Sequence, residues 1–295
     1  MARLAFLGTP AMAVPPLRAL VEANHEIALC ITRPDRRRGR GGAVTPSPVK
    51  EAALELGIPV AHSLDDLAAS GAELAVVVAY GRIIPPAVLA TTPMVNLHFS
   101  LLPRWRGAAP VERAILAGDT QTGVCVMAVE EGLDTGPVYA RRAVALPDHL
   151  YLQSLRDELV EVGSVLLVDT LAAGVDGLPT PRAQEGTPTT AEKVTSEDLH
   201  LHWAETATQL HRVVRLERAW TTFRGKRLRV LRASPLGEVQ PAGPPGSLAG
   251  TEVSTGRGIL RLERVQPESR TPMSAEEWVR GIHPSVGERL DGDLP

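Results

Sequence analysis

Aromatic residues are scarce in this 295-residue chain: Phe, Trp and Tyr together make up 3%. Any core it builds must be filled mainly by Leu, Val, Ala and Ile. Cysteine is nearly absent. Cys30 and Cys125 each sit inside an apolar run, and no Cys-x-x-Cys pair occurs. They read as buried, reduced thiols of a cytoplasmic protein. Long hydrophobic runs are missing as well. Stretches such as Ala75–Tyr80 are far too short to cross a bilayer, so no membrane partner is expected. The N-terminus enters a strand pattern without the shape of a signal peptide. Several motifs are also lacking. The first βα turn holds only Gly8, without the further glycines that let a pyrophosphate approach the backbone. No Walker loop, His-Glu-x-x-His or Gly-x-Ser-x-Gly is present. A dinucleotide oxidoreductase, an NTPase, a zinc protease and a serine hydrolase are left without support. His200 and His202 lie two apart but lack obvious further ligands, so no metal is expected.

What is present is ordinary in bulk and uneven in detail. Hydrophobic residues make up 44% and charged residues 22%, as in globular proteins, and the length suggests two domains. The net charge of −3 conceals two basic stretches. Segment 33–50 carries net +5, through Arg33, Arg36, Arg37, Arg38, Arg40 and Lys50 against Asp35. Segment 210–232 carries eight basic residues against Glu217, a net +7, which leaves −15 for the rest. Concentrated positive charge on an acidic chain suggests a polyanionic partner; a merely solvated face is the plainer alternative.

Strand patterns over Arg3–Leu7, Glu26–Ile31, Glu73–Ala79, Met94–Phe99 and Thr122–Val129 alternate with helical ones ending near Ala23 and Pro59. Helical spacing follows over Pro110–Ala117 and Leu150–Ala173. This alternation predicts an α/β domain with a Rossmann-like open, largely parallel sheet over residues 1–178. Residues 179–191 are rich in Pro, Thr and Gly and read as a linker. Beyond them, residues 192–295 show one helical segment, Trp203–Leu216, then short strand-like pieces at 221–223, 227–231, 246–248 and 258–265. That pattern predicts a C-terminal OB-like β-barrel, an architecture that often binds nucleic acid.

The informative stretch is Val95–Pro110, VNLHFSLLPRWRGAAP. Asn96 and His98 lie two apart on a predicted strand, so both side chains point to one face. An amide and an imidazole side by side can donate to one oxygen, as in an oxyanion site. A buried Asn and His satisfying loop backbone fits the spacing equally well. Asp134 follows in GLDTG, where a carboxylate near His98 can set its protonation; simple turn chemistry is the alternative. Leu-Asp-Thr-Gly also occurs in aspartic proteases, but only one copy exists here, in an alternating α/β context.

NLHFSLLPRWRGAAP and VEEGLDTGPV together resemble the signature of the folate-dependent formyltransferases. The resemblance implies that Asn96, His98 and Asp134 are the catalytic trio. It implies that Ser100, Leu101, Leu102 and Pro103 contact a reduced folate, with 10-formyltetrahydrofolate as donor. AYGRIIP, Ala79–Pro85, matches the loop facing the pterin, which adds Tyr80, Gly81, Ile83 and Ile84. Within the family, the basic stretch Thr32–Lys50 and the C-terminal segments AWTTFRGKRLRVLRA and MSAEEWVRG resemble the branch that acts on methionyl initiator tRNA. That resemblance implies formyl transfer to the methionyl amine and tRNA contacts from Arg36, Arg37, Arg38, Arg40, Arg224, Lys226 and Arg227. A monomer is expected. The chain departs from the family pattern at Gly42 and Ala43, where lysines are usual, and at Leu216–Arg218, where Asn-Pro-Trp-Pro is usual. Trp105 and Arg106 are expected near the acceptor end or as anchors of their loop. Loop 33–50 is expected to lack regular structure.

Overall fold

The structure is a computed structural model; it describes residues 1–38, 43–237, 239–241, 243–285 and 287–292. It divides into two compact units. One comprises Met1–Val111, Gln121–Ala145 and Leu155–Glu192; the other comprises Glu112–Thr120, Leu146–Ser154 and Lys193–Pro295.

The first unit is an α/β sheet of seven strands. In chain order its strands are β1 (Arg3–Gly8), β2 (Glu26–Ile31), then a separate pair β3 (Arg36–Arg38) and β4 (Ala43–Thr45), β5 (Val60–Ala61), β6 (Leu74–Val78) and β7 (Met94–His98). A short β8 (Arg106–Gly107) precedes β9 (Gln121–Ala128), β10 (Val138–Ala145) and β11 (Thr190–Ala191). The sheet order is β10-β9-β7-β6-β1-β2-β5. Strands β5, β2, β1, β6 and β7 run parallel, whereas β9 and β10 add antiparallel pairs. Every residue of β6, LAVVV, is buried, as expected of a central strand covered on both faces.

Helices α1 (Val14–Glu22), α2 (Pro48–Glu55), α3 (Asp66–Ala69) and α4 (Pro86–Leu89) supply crossovers. Helix α2 starts where it does because the Ser47 hydroxyl accepts from the Lys50 N–H at 3.1 Å, with Pro48 in the first turn. Helices α5 (Pro110–Ala117) and α6 (Leu152–Leu171) follow. Gly163 of α6 faces Leu97, and a Cβ there would lie 3.1 Å from a Leu97 methyl. The glycine lets the helix lie close on β7, which fixes Leu97 on the helix side of the sheet and turns Asn96 and His98 to the other.

In the second unit, α7 (Ala207–Val214) precedes the strands β12 (Trp220–Phe223), β13 (Lys226–Pro235), β14 (Leu248–Ala249), β15 (Glu252–Ser254), β16 (Ile259–Pro267) and β17 (Met273–Ser274), and α8 (Ala275–Ile282) follows them. The strands form one antiparallel sheet of order β12-β13-β16-β15-β14, with β17 on β16. Two register shifts near Arg232 bend β13. Trp203, Leu210, Phe223, Val230, Leu260 and Trp278 belong to the core it curls around. Both helices open with a capping box, Thr206 with Gln209 and Ser274 with Glu277.

Several expectations need correction. The helix expected over Trp203–Leu216 is confined to Ala207–Val214, because Thr206 caps it and Trp203 enters the core, its Nε1 donating to Thr221 at 3.0 Å. Loop 33–50 is not without regular structure: the backbones of Arg36–Arg38 and Ala43–Thr45 pair antiparallel, which satisfies their polar groups. The +7 of segment 210–232 overstates surface charge. Arg215 is fully buried, donating to the carbonyls of Leu150 at 2.7 Å and Pro147 at 3.0 Å. Both cysteines are free and buried, and burial pushes their thiols up, Cys30 to about 12 and Cys125 to about 11. Among the described residues no helix is long and apolar enough to cross a membrane.

Candidate active site

The carboxyl end of β7 carries Asn96 and His98. In register, Asn96 stands beside Val77 of β6 and Met127 of β9, and His98 beside Cys125. His98 is 5% exposed. Its Nε2 lies 3.0 Å from the Trp105 carbonyl. A carbonyl only accepts, so Nε2 carries the proton. Its Nδ1 lies 3.6 Å from Asp134 Oδ2. A bare Nδ1 would aim a lone pair at that carboxylate; a proton on Nδ1 turns the contact into an ion pair.

Asp134 is held from three sides. Its own backbone is left-handed, with φ of 52°, uncommon for a residue other than Gly. Its Oδ2 accepts from the Gly107 N–H at 2.8 Å. Gly107 must be glycine here: its φ is 123°, and a Cβ would lie 2.9 Å from the Ala191 carbonyl oxygen. Finally, the Gln184 amide nitrogen donates to the carbonyls of Asp134 and Gly136, both at 2.8 Å. The Gln184 oxygen in turn accepts from Arg106, Nε at 3.0 Å and a terminal nitrogen at 2.7 Å.

The stretch read as a linker thus furnishes part of the site. Thr190 and Ala191 pair with Arg106 and Gly107, and Thr189 Oγ1 accepts from the Trp105 N–H at 2.8 Å. Sequence reasoning missed Gln184, Gly107 and Thr189. Nothing in the spacing marks Gln184, which lies fifty residues beyond Asp134. Arg106 is turned into this network rather than left as a free cation, and the Arg104 guanidinium lies 4.5 Å over the Trp105 ring.

Two groups of expected folate residues flank β7. Ser100 is fully buried and its hydroxyl donates to the Arg104 carbonyl at 2.6 Å, so it shapes the loop from within. Leu102 is buried against Cys125 and Met127. Leu101, Leu102 and Pro103 line a hollow of about 480 Å³ together with Arg141, Ala143 and Glu185. Gly123 keeps this wall thin, since a Cβ there would lie 2.7 Å from a Leu101 methyl. The other group follows β6, whose end neighbours Asn96. Ala79 and Gly81 both have positive φ, 47° and 73°, which turns the chain sharply. Tyr80 is buried and its hydroxyl has no hydrogen-bond partner among the described residues. Ile84 joins the core, whereas Ile83 is 88% exposed.

The expected tRNA residues are spread over both units. The backbone of Arg36, Arg37 and Arg38 forms β3, and Arg40 lies outside the described residues. In the second unit, Arg224 is already paired with Glu288 by two contacts of 2.6 and 2.8 Å. Lys226 is exposed at the start of β13, and Arg227 stacks 4.3 Å over the Trp220 ring.

Comparison with known proteins identifies the family. The family described as formyl transferase matches residues 2–171, and the formyl transferase C-terminal domain matches residues 193–283. The chain is 42% identical, over 98% of its length and 99% of the relative's, to the methionyl-tRNA formyltransferase of Methylococcus capsulatus. Identity is again 42%, over 98% of this chain and all of the relative, for the methionyl-tRNA formyltransferase of Dinoroseobacter shibae. In fold it resembles a solved N-formyltransferase from Helicobacter canadensis in complex with folinic acid and dTDP-3-aminofucose, with a TM-score of 0.68 and 14% identity over 89% of this chain and 99% of that one. With both family regions matched and the relatives aligned end to end, this chain belongs to the formyl transferase family.

Proposed function

We propose that this enzyme transfers a formyl group from 10-formyltetrahydrofolate to the amino group of methionyl initiator tRNA, giving formylmethionyl-tRNA for translation initiation. The observation that carries the reading is the buried His98–Asp134 pair beside Asn96, in a chain whose end-to-end relatives are methionyl-tRNA formyltransferases.

Asn96, His98 and Asp134 are the catalytic residues. The Asn96 amide makes no hydrogen bond to a described residue, so it is available to donate to the oxygen that turns negative as the amine adds. His98, as imidazolium or by proton transfer, stabilises that oxygen and assists departure of the folate nitrogen; its Nε2 faces the Trp105 carbonyl and its Nδ1 faces Asp134. Asp134 supports His98 and takes the amine's proton through water; as the tetrahedral intermediate collapses, the bond from the formyl carbon to the folate nitrogen would break and that nitrogen would leave carrying the proton. Gln184 and Gly107 position Asp134.

When bound, the folate supplies a formyl group on a weakly basic nitrogen. The residues fit such a ligand. A hollow of about 480 Å³ has the scale of a small-molecule site, apolar along Leu101–Pro103 and with Arg141 available for a carboxylate. Ser100, Tyr80, Gly81, Ile83 and Ile84 complete the folate-binding set, with the turned backbone at Ala79–Gly81 presenting main-chain groups. On the tRNA side, Arg36, Arg37, Arg38, Arg40, Arg224, Lys226 and Arg227 contact phosphates and set the register of the acceptor stem. Residues 1–178 carry the catalytic trio, 179–191 connect to the rest of the chain while Gln184 and Thr189 brace the site, and 192–295 are the tRNA-binding domain. The enzyme works as a monomer in the cytoplasm.

The test is transfer of labelled formyl with charged initiator tRNA and an amino-sugar nucleotide as competing acceptors. Label on the tRNA alone supports the reading; label on the sugar would replace it with a different acceptor on the same catalytic trio.

A further inference from the structure

The second unit holds a cluster that formyl transfer does not use. Glu197, His200 and His202 each offer a ligand atom, and these atoms lie within 4.8 Å of one another. One short stretch of chain presents all three. Glu197 opens a single 3-10 turn, closed by the His200 N–H on the Glu197 carbonyl at 3.0 Å. The chain then runs extended. Leu201 and Trp203, both buried, alternate inward, which puts His200 and His202 together on the outer side. The Leu201 N–H donates to the Trp220 carbonyl at 2.9 Å, and the His200 ring lies 4.3 Å from the Trp220 ring. The ligands are therefore carried on a segment already fixed by packing, so little ordering is left for an ion to impose.

The surroundings of His200 go further. Its Nε2 faces Asp291 Oδ2 at 3.0 Å. Asp291 is itself fixed: its other oxygen accepts from the Thr222 N–H at 2.7 Å and the Thr222 hydroxyl at 2.9 Å. A carboxylate anchored from behind and set on one ring nitrogen is how metal-binding histidines are oriented, and it leaves the Nδ1 lone pair for the ion. His202 Nε2 and Glu197 Oε1 stand 2.9 Å apart. Two tetrahedral ligands at ordinary zinc distances are about 3.3 Å from each other, so this pair needs to open only slightly. A hollow of about 350 Å³ opens beside the three, and Glu205 also lines it. Asp198 lines it too but is committed to Arg113 at 2.8 Å, which holds its carboxyl down at about 2.

We propose that Glu197, His200 and His202 bind one divalent transition-metal ion of the zinc class, with Asp291 orienting His200. Nitrogen and carboxylate donors in this proportion suit zinc better than calcium or magnesium, which prefer oxygen throughout. The ion clips the 3-10 turn to the strand segment at the entrance of the second unit and stabilises that unit.

The experiment uses the full-length protein, stripped with a chelator, titrated with Zn²⁺ by calorimetry and followed by thermal melting. One saturable site per chain is expected, with a melting temperature raised by Zn²⁺ and returned by chelator. Glu197→Gln and His202→Gln change exposed side chains, so folding should survive while the site is lost. Asp291→Asn should weaken binding about 10–100-fold without removing it. No saturable binding, or binding unchanged in Glu197→Gln and His202→Gln, would overturn the proposal; the second result would mean adventitious capture by other histidines.

Discussion

Gln184→Ala removes the clamp on the Asp134 loop, and its consequences can be worked from the contacts. Two amide donations, to the carbonyls of Asp134 and Gly136, disappear, and Arg106 loses the acceptor for two of its N–H groups. Neutral hydrogen bonds contribute about 0.5–1.5 kcal/mol each and those to a charged group about 1.5–3. The site is part-buried, so water replaces some of them and the low end of the sum applies, roughly 2 kcal/mol. For a chain of this size that lowers the melting temperature by about 4–8 °C. The larger effect is on rate. Asp134 meets His98 at 3.6 Å from a left-handed backbone that nothing but its neighbours enforces. Misplacement by about 1 Å can cost around 100-fold, so kcat should fall roughly 10–100-fold while KM for the folate stays near its starting value. Gln184→Glu separates the two halves of the clamp: it keeps an acceptor for Arg106 but cannot donate to the carbonyls. It should be as slow as the alanine variant. Steady-state kinetics and calorimetry on both variants make the test. A lowered melting temperature with unchanged kcat would show that Gln184 supports the fold and not the reaction.

Three further outcomes are expected. A non-reactive 10-formylfolate analogue should raise the melting temperature, because it binds only the folded state, whereas NADH and ATP should not; protection by NADH alone would refute the folate site. Neutralising Arg36, Arg37, Arg38 and Arg40 together should weaken kcat/KM for charged tRNA and flatten its salt dependence while leaving folate affinity intact, and equal loss of both would assign the segment to the fold. Arg215→Ala should destabilise the protein by about 3 kcal/mol in thermal melts, since it leaves the carbonyls of Leu150 and Pro147 without their donor; a change within error would mean water fills the gap.

The sequence is most readable where hydrophobic pattern and position agree. The central strand β6 is a continuous apolar run, β7 is apolar apart from Asn96 and His98, and their alternation with helices leads directly to the α/β sheet. Strand β10 escapes notice because VYARRAVA lies at the sheet edge with mostly exposed or half-buried positions, so no period-two apolar signal forms. The β3–β4 pair is hidden for a different reason: RRR and AVT are three residues each, too short for a period-two apolar pattern to show in the sequence. The alternation rule puts Asn96 and His98 on one face, but only the folded chain brings Asp134 to His98 and Gln184 to Asp134. Those meetings depend on left-handed turns at Trp105, Gly107 and Asp134, which composition does not announce. Arg215 likewise reads as surface charge until its buried carbonyl partners are seen.

The central claim is tested most directly by the kinetics of labelled formyl transfer from 10-formyltetrahydrofolate to methionyl initiator tRNA, with wild-type protein beside Asn96→Ala, His98→Ala and Asp134→Asn. The wild type should transfer the label. Asn96→Ala should lower kcat by roughly 10²–10³, the usual loss for one oxyanion donor, and the other two should be at least as damaging. Combining substitutions should add little, because the three act as one unit. Near-normal turnover by His98→Ala, or no transfer by the wild type, would contradict the account.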